Sequence, residues 1–221
     1  AGPAILPNTH VTVSGGEGDD YVEFDRGLFI TDAVDGGSDS DLFWLYEQTI
    51  LTLRDKSIEN VETVGFSDDA DSVIFADGNN VKVAEGWQGD DYLDASRETS
   101  QGYVLLGYTD DATDIDDDDG GDDTLIGGAG ADTLRGGNGQ DLLKGNGGSD
   151  RFQFIENWND GDAYSDVIQD FTGTIDKMVF NGNAFSDVSA IDGYKGTAGD
   201  SSTANDNLLI STGDSYSGIT E

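Results

Sequence analysis

The chain has 221 residues, of which 10 are basic and 46 are acidic, so its formal net charge at pH 7 is −36. This excess of carboxylates argues against binding to nucleic acids, whose phosphates require clustered basic residues, and against anionic membranes. The chain has no cysteine, which excludes disulfides and thiolate metal sites. No apolar run reaches the ~18 residues of a membrane-spanning helix, so no membrane insertion is expected.

Three glycine-rich stretches lie in the first half of the chain, at 15–23, 36–44 and 86–94. In each stretch an aspartate follows the glycines, and an apolar residue follows two places later; these aspartates are Asp20, Asp41 and Asp91. Short β-branched and partly alternating runs predict strands at 49–53, 59–64, 71–75, 80–83 and 102–106. No 3.6-residue apolar period persists, so the sequence predicts almost no long helix.

The spacing of the acidic residues favours a coiled arrangement of these strands. Asp20, Asp41, Asp71 and Asp91 are separated by 21, 30 and 20 residues, and two of these gaps are close to one coil of a β-helix. We therefore expect residues 15–110 to form a parallel β-helix with cation-binding turns on one side and irregular turns on the other. A β-sandwich with acidic loops is the alternative fold.

A dense run of aspartates precedes the most regular part of the chain. Residues 109–119 hold seven aspartates in eleven positions, which is typical of a solvated acidic loop. Asp114 lies nine residues before Asp123 and so keeps the register of the repeats that follow. We expect a loop in which Asp114 forms a partial metal site.

Residues 118–153 divide into four nine-residue repeats, DDGGDDTLI, GGAGADTLR, GGNGQDLLK and GNGGSDRFQ. Aspartate holds the sixth place and a large apolar residue the eighth, in the pairs Asp123 and Leu125, Asp132 and Leu134, Asp141 and Leu143, and Asp150 and Phe152. Glycines permit tight turns in which backbone carbonyls crowd an ion, and Ca²⁺ prefers six to eight carboxylate and carbonyl oxygens. The pattern predicts calcium-binding turns followed by short strands, because a flexible linker has no reason to keep this period.

The repeat resembles the calcium-binding nonapeptide GGxGxDxUx of RTX proteins, in which U is a large apolar residue. The resemblance implies an all-β fold, a right-handed parallel β-helix or β-roll in which two nonapeptides form one coil and several calcium ions bind between stacked turns. The predicted ligands in the turns are Asp20, Asp41, Asp91, Asp114, Asp123, Gly127, Ala129, Asp132, Gly136, Asn138, Asp141, Gly145, Gly147 and Asp150. RTX proteins leave bacterial cells by type I secretion, so the resemblance implies a secreted, extracellular or cell-surface protein.

The repeats end at Phe154, and the segment beyond is expected to close the solenoid. Asp166, Ile168, Asp170 and Phe171 match a DxIxDF motif, and this segment is similar to the closing segment of serralysin-type RTX rolls. The similarity implies that Asp166 and Asp170 complete the last calcium sites. It also implies a β cap in which apolar side chains cover the open end of the core, namely Phe171, Met178, Phe180 and Phe185.

Three regions follow from these patterns. Residues 1–117 are expected to form degenerate coils, 118–154 a regular β-roll, and 155–221 a capping and secretion-associated region. Within the last region, 193–207 predicts a surface loop and 208–212 a final strand.

The sequence leads to two functions of different classes. The first is a calcium-binding module that folds on meeting extracellular calcium and forms the structural and secretion-folding part of an exported surface protein, adhesin or hydrolase. Its expected partners are calcium, the type I secretion machinery and a cell-surface or carbohydrate molecule.

The alternative is a calcium-dependent β-helix enzyme, a lyase or epimerase, that acts on polysaccharide. No HExxH motif and no cysteine nucleophile exist, and the only histidine is His10, so no catalytic residue is predicted and an enzyme within this chain is not favoured. The aromatic residues Trp44, Trp87, Trp158, Tyr92 and Tyr108 are interpreted either as a cover over the core or as a platform for carbohydrate.

Overall fold

The computed structural model describes residues 12–24, 33–46, 50–53, 58–108, 121–154, 166–180 and 209–210. Every strand pair within these ranges is parallel, and none of these residues is in a helix. Successive strands alternate between two large sheets, so that the chain winds as a parallel β-solenoid. The all-β prediction is confirmed, and the right-handed sense of the coil stays a prediction.

The strands form sheets of eight, seven and three members. The eight-stranded sheet contains β2 (Tyr21–Phe24), β4 (Leu42–Leu45), β7 (Thr63–Gly65), β9 (Val83–Glu85), β11 (Val104–Leu106), β13 (Thr133–Arg135), β15 (Arg151–Phe154) and β17 (Lys177–Phe180). The seven-stranded sheet contains β5 (Ile50–Leu53), β8 (Ser72–Phe75), β10 (Tyr92–Asp94), β12 (Thr124–Ile126), β14 (Leu142–Lys144), β16 (Val167–Ile168) and β18 (Leu209–Ile210). The short third sheet contains β1 (Thr12–Glu17), β3 (Ala33–Ser38) and β6 (Ile58–Glu59).

The core is a narrow stack of apolar side chains between the two large sheets. Strands of three or four residues place one or two side chains inward, because successive side chains point to opposite faces. The inward residues pair in register, as in the row Leu93, Leu125, Leu143 and Ile168, all of which are fully buried. The eighth-place apolar residues of the repeats therefore face the core as predicted.

The acidic turns of the first half lie on both sides of the solenoid, and the prediction of a single acidic side is wrong. Asp20 and Asp41 precede β2 and β4 of the eight-stranded sheet, whereas Asp71 and Asp91 precede β8 and β10 of the other sheet. The 30-residue gap between Asp41 and Asp71 therefore spans about one and a half coils. The sequence spacing does not show this change of side, because a gap can equal either a whole coil or a half coil with insertions.

The C-terminal segment extends both large sheets. β17 pairs with β15, and β18 pairs with β16, which confirms the predicted final strand. Phe171 and Met178 pack against the core, as expected for residues that cover its end. The side chain of Phe180, and all of Phe185 and 193–207, lie outside what the structure describes.

Hydrogen-bonded strand pairs cross both expected domain boundaries. β10 pairs with β12 across the first boundary, and β15 pairs with β17 across the second. The division into three regions stays a prediction. Among the residues that the structure describes, there is no helix long and apolar enough to cross a membrane.

Candidate calcium-binding turns

Acidic residues stand directly before most strands of the two large sheets and stack into two columns. We call the column before the seven-stranded sheet the continuous column, because an aspartate precedes each of five successive strands: Asp71, Asp91, Asp123, Asp141 and Asp166. We call the column before the eight-stranded sheet the interrupted column: Asp20, Asp41, Glu62, Lys82, Tyr103, Asp132, Asp150 and Asp176.

Each step of the continuous column is made by the same hydrogen bond. The backbone N–H of one aspartate donates to Oδ1 of the aspartate in the next coil. The four distances are 2.8 Å from Asp71 to Asp91, 2.8 Å from Asp91 to Asp123, 2.9 Å from Asp123 to Asp141 and 3.0 Å from Asp141 to Asp166. All five residues are at most 3% exposed, so the column places a row of carboxylates inside the protein.

The interrupted column uses the same bond at its two ends. At the first end, the N–H of Asp20 donates to Asp41 over 2.8 Å and the N–H of Asp41 donates to Glu62 over 3.1 Å. At the second end, the N–H groups of Tyr103, Asp132 and Asp150 donate to Asp132, Asp150 and Asp176 over 2.7, 2.9 and 3.0 Å. Lys82 and Tyr103 carry no carboxylate, and the column is broken there.

The second oxygen of several aspartates is buried without a hydrogen-bond partner. This holds for Oδ2 of Asp20, Asp41, Asp91 and Asp123. A buried carboxylate oxygen with no donor is costly, and its burial is compensated only by a cation or a proton. These four positions therefore fit a metal ligand better than a purely structural role.

A backbone carbonyl of the next coil faces the same space. A Cβ added at Gly86 would contact both Asp91 Oδ2 and the carbonyl oxygen of Gly107, and a Cβ at Gly107 would contact both Asp123 Oδ2 and that of Gly136. The same pairing of a carboxylate and a next-coil carbonyl occurs beside Gly15, Gly36 and Gly127. At these glycines a carboxylate oxygen and a carbonyl oxygen occupy the volume that a Cβ would need, so that two hard oxygens of the kind Ca²⁺ prefers lie close together.

Burial makes several of these carboxylates hard to ionise without a cation. Desolvation is the largest of the causes that raise the pKa of Asp91 to about 9 and that of Asp123 to about 8, and nearby carboxylates contribute to both values. Desolvation raises the pKa of Asp132 and of Asp150 to about 6. A bound divalent cation would favour the ionised forms and reverse this direction.

In two other turns, residues of the turn itself donate hydrogen bonds to the second carboxylate oxygen of the aspartate. Asp71 Oδ2 accepts from the N–H and the hydroxyl of Ser67, each over 3.0 Å. Asp132 Oδ2 accepts the N–H of Gly128 over 2.8 Å. The turns therefore differ in how they stabilise the second carboxylate oxygen. A cation would stabilise the turns at Asp91 and Asp123 most, because there this oxygen has no donor and the pKa is raised furthest.

The repeats place their predicted backbone ligands on opposite sides of the solenoid. The turn with Gly127 and Ala129 stacks on the turn with Gly145 and Gly147, because the N–H of Gly147 donates to Gly128 O over 3.0 Å. The turn with Gly136 and Asn138 lies on the other side and stacks on Gly107, Tyr108 and Asp123. Some of these carbonyls also accept protein donors: Gly127 O accepts Asn146 Nδ2 over 2.7 Å, and Gly136 O accepts the N–H of Tyr108 over 3.0 Å.

The last predicted ligands occupy different environments. Asp166 is the last member of the continuous column among the described residues, and its Oδ1 accepts the N–H of Asp141 over 3.0 Å. Asp170 uses both of its carboxylate oxygens to accept backbone N–H groups, from Gly145 over 2.9 Å and from Asn146 over 2.7 Å. Asp114 lies outside the residues that the structure describes.

A network of protein hydrogen bonds occupies the broken part of the interrupted column. The buried Glu98 Oε1 accepts the N–H groups of Thr99, Ser100 and Gln101 over 3.1, 3.0 and 3.2 Å, and its Oε2 accepts the N–H of Gly78 over 3.2 Å. The hydroxyl of Tyr103 donates to Asn79 Oδ1 over 2.8 Å. Here backbone donors, rather than a cation, satisfy the buried carboxylate.

Sequence reasoning did not select Glu62 and Asp176 as site residues, and it used Asp71 only for spacing. All three precede a strand in the pattern acidic residue, any residue, apolar residue, any residue, apolar residue: ETVGF, DKMVF and DSVIF. The same pattern follows Asp20, Asp41 and Asp150. This five-residue pattern, without the glycines, would have found them.

No group of three or more acidic or histidine side chains converges on one point within the described ranges. A calcium site in this solenoid would therefore combine carboxylate oxygens with the backbone carbonyls of neighbouring coils, as at Gly86 and Gly107. The individual ligands and the number of ions stay predictions.

A family model, the RTX calcium-binding nonapeptide repeat in four copies, matches residues 10–27 and 117–152. The second stretch covers the four regular repeats except the last residue, Gln153, and the first contains the turn at Asp20. No curated protein and no solved structure matches the chain. The chain thus contains RTX-type calcium-binding repeats on a parallel β-solenoid, and the similarity of its C-terminal segment to serralysins stays a prediction.

Proposed function

We propose that this chain is a calcium-binding structural module whose folding is coupled to calcium and which serves a larger protein exported from a bacterial cell. The observation that carries the proposal is the set of buried carboxylate oxygens without a donor at Asp20, Asp41, Asp91 and Asp123, each beside a carbonyl of the next coil. The match of the repeats to the RTX model supports calcium as the cation.

The fold itself explains why metal binding and folding would be coupled. Each candidate site takes its carboxylate from one coil and its carbonyl from the next, so no site exists in an extended chain. Stacking the coils without a cation brings buried aspartates close together in a chain whose net charge is −36. Calcium supplies two positive charges per ion, which offset this repulsion and the desolvation of the carboxylates.

Coupled folding gives an export function a physical basis. Extracellular calcium modules bind their ion at about 10⁻⁴ to 10⁻³ M. A module of that affinity would stay open at low calcium inside a cell and would wind into its solenoid outside. We infer from the RTX repeats that type I secretion machinery is the partner during export and that the folded module acts at or beyond the cell surface.

A calcium titration of a matched pair of variants tests the proposal. Asp123 and Asp122 are adjacent, but Asp123 has a buried free oxygen whereas Asp122 is exposed and accepts the N–H of Gln140 over 2.8 Å. We expect far-ultraviolet circular dichroism to show calcium-dependent folding of the parent chain that magnesium does not reproduce. We expect Asp123→Asn to need about tenfold more calcium and Asp122→Asn to behave like the parent.

Two outcomes would contradict the proposal. A chain with the same β-sheet spectrum in calcium and in chelator would exclude coupled folding, and equal effects of the two substitutions would exclude Asp123 as a ligand. Turnover of a polysaccharide by the calcium-loaded chain would instead support the alternative enzyme function.

A further inference from the structure

Four aromatic side chains form a cluster on the outer face of the eight-stranded sheet, which we call the aromatic platform: Tyr21, Trp44, Tyr46 and Trp87. The rings of Trp44 and Trp87 meet edge to face with centroids 5.4 Å apart, and Trp44 and Tyr46 lie 6.2 Å apart. Tyr21 lies close to the other members, because interaction with Tyr46, desolvation and the Glu23 carboxylate raise the pKa of its hydroxyl. Tyr21 and Tyr46 are nevertheless 53% and 49% exposed, so the platform is ordered by its own contacts but open to solvent.

The other aromatic residues considered from the sequence do not join this cluster. Tyr92 lies on the seven-stranded sheet, Tyr108 is buried, and Trp158 lies outside the described residues. The platform therefore reflects a local arrangement and not a general aromatic coating of the solenoid.

A glycine makes the arrangement possible. Trp44 pairs with Gly65 on the next strand, and a Cβ at Gly65 would overlap the six-membered ring of the indole. The row through these residues continues to Glu23 on one side and Glu85 on the other. The indole thus lies over the neighbouring strand between two carboxylates.

Trp87 occupies a backbone conformation that disfavours a bulky side chain. Its φ is 81°, and it is the second residue of its glycine-rich turn. In other turns this second residue is Gly16, Gly37 or Gly137, with φ of 119°, 116° and 111°. Tryptophan here strains the backbone and fills no part of the apolar core, which indicates that its ring serves the surface.

The chemistry of the platform fits a sugar. Aromatic rings bury the apolar faces of pyranose rings, while phenol hydroxyls and carboxylates bond to sugar hydroxyls. The strands β2, β4, β7 and β9 are spaced by about 4.8 Å, so the row is long enough for more than one sugar ring. The two glutamates and the overall charge disfavour uronic acids and sulfated sugars.

We propose that the aromatic platform is a binding site for neutral oligosaccharides, in which Tyr21, Trp44, Tyr46 and Trp87 stack on pyranose faces and Glu23 and Glu85 accept hydrogen bonds from sugar hydroxyls. This site lies on the outer face of the sheet and is separate from the buried acidic columns. It provides binding and requires no catalytic group.

Isothermal titration calorimetry of the whole chain in saturating calcium tests the site with four oligosaccharides. Three are neutral, cellopentaose, mannopentaose and xylopentaose, and one is acidic, tetragalacturonate. We expect at least one neutral probe to bind and to change tryptophan fluorescence, and the acidic probe not to bind. Tyr21→Ala and Tyr46→Ala should each weaken binding by about fivefold, the range of one aromatic contact. These two residues are exposed, so their replacement should leave folding intact.

Tyr92→Ala is the matched control, because Tyr92, like Tyr21, stands two residues before an acidic residue, in this case Asp94, to which the Tyr92 hydroxyl donates over 3.2 Å. It should bind the neutral probe like the parent chain. The proposal is overturned if no neutral probe binds, if the acidic probe binds more tightly, or if Tyr21→Ala and Tyr46→Ala bind like Tyr92→Ala. It is also overturned if sedimentation shows a dimer that Tyr46→Ala dissociates, since the platform would then be covered by a second copy.

Discussion

The two columns of the solenoid stabilise their buried carboxylates by different means. The continuous column stacks five buried aspartates in direct succession and includes Asp91 and Asp123, whose second oxygens have no protein donor. The interrupted column replaces its middle steps by the network around Glu98, in which backbone N–H groups satisfy the carboxylate. Donor-free carboxylate oxygens thus occur in the continuous column at Asp91 and Asp123 and at the first end of the interrupted column at Asp20 and Asp41, whereas the turns around Glu98 supply their own donors.

This difference suggests that stability is distributed unevenly along the molecule. Coils whose turns supply hydrogen-bond donors to the buried carboxylate need no ion to stack. Coils in which a buried carboxylate oxygen has no donor do need one. The coils near Glu98 would then persist when the regular repeats have opened. They would also give the repeats a formed edge on which to wind when calcium is added.

The largest effect is expected on calcium removal, observed by hydrogen exchange. The amides of Asp123, Asp132 and Asp150, which donate to carboxylates of the next coil, should lose nearly all protection in chelator. The amides of Gly78 and Ser100, which donate to Glu98, should lose much less. A uniform loss of protection would mean that the solenoid unfolds as one unit and that the turns around Glu98 are no more stable than the acidic turns.

Single substitutions of acidic residues should distinguish turns that supply their own hydrogen-bond donors from turns beside a candidate calcium site. Glu98→Ala leaves several buried N–H donors without an acceptor and should destabilise the chain by about 3 kcal/mol. Because no ion is involved, the dependence of Tm on calcium concentration should keep its slope.

Glu62→Ala is the control in the same column, since Glu62 accepts the N–H of Asp41 beside a candidate calcium site. Its loss should lower the slope of Tm against the logarithm of calcium concentration, because fewer ions bind on folding. Equal slopes for the two variants would contradict the distinction between turns beside a candidate calcium site and turns that supply their own donors.

The smallest effect is expected from pH. Four buried aspartates have raised pKa values in the calcium-free fold, about 9 for Asp91, about 8 for Asp123 and about 6 for Asp132 and Asp150, against an ordinary value of 3.8. The folded state therefore binds more protons than the unfolded state between about pH 4 and pH 9, so the stability of the calcium-free fold decreases as pH rises. We expect dialysed, calcium-free chain to keep more β structure at pH 5 than at pH 8.

Calcium affinity should change with pH in the opposite direction. Each ion that binds must displace protons from these carboxylates, so affinity should rise by about tenfold from pH 6 to pH 8. Titration calorimetry in two buffers of different ionisation enthalpy measures the released protons. Absence of proton release would mean that Asp91 and Asp123 are already ionised without calcium.

Much of the acidic framework follows from local sequence. The apolar residue two places after each aspartate predicts an inward side chain, and Leu125, Leu134, Leu143 and Phe152 are all buried. Asp20, Asp41 and Asp91 show the same local pattern and take the same place before a strand. Local sequence is enough here because a three-residue strand allows only one side chain to face the core.

Other features depend on which coils become neighbours. The pairing of Asp91 with Asp123 spans 32 residues, while that of Asp123 with Asp141 spans 18. The periodicity of the sequence does not reveal that Asp91 and Asp123 are neighbours in the same way as Asp123 and Asp141. The long acidic segment between Asp91 and Asp123 changes the number of residues from one coil to the next. The Glu98 network joins turns about 20 residues apart whose sequences share no repeat.

By itself, the sequence determined that the chain forms short parallel strands separated by acidic, glycine-rich turns and that calcium is the cation they suit. Side-chain alternation and the chemistry of aspartate and glycine are local properties, and they suffice for these conclusions. Only the tertiary structure decided that the acidic turns form two columns on opposite sides, that the Glu98 network occupies the gap in one of them, and that Trp44 lies over Gly65 and meets Trp87. Those features depend on the register between coils, which is set by the length of every turn along the chain.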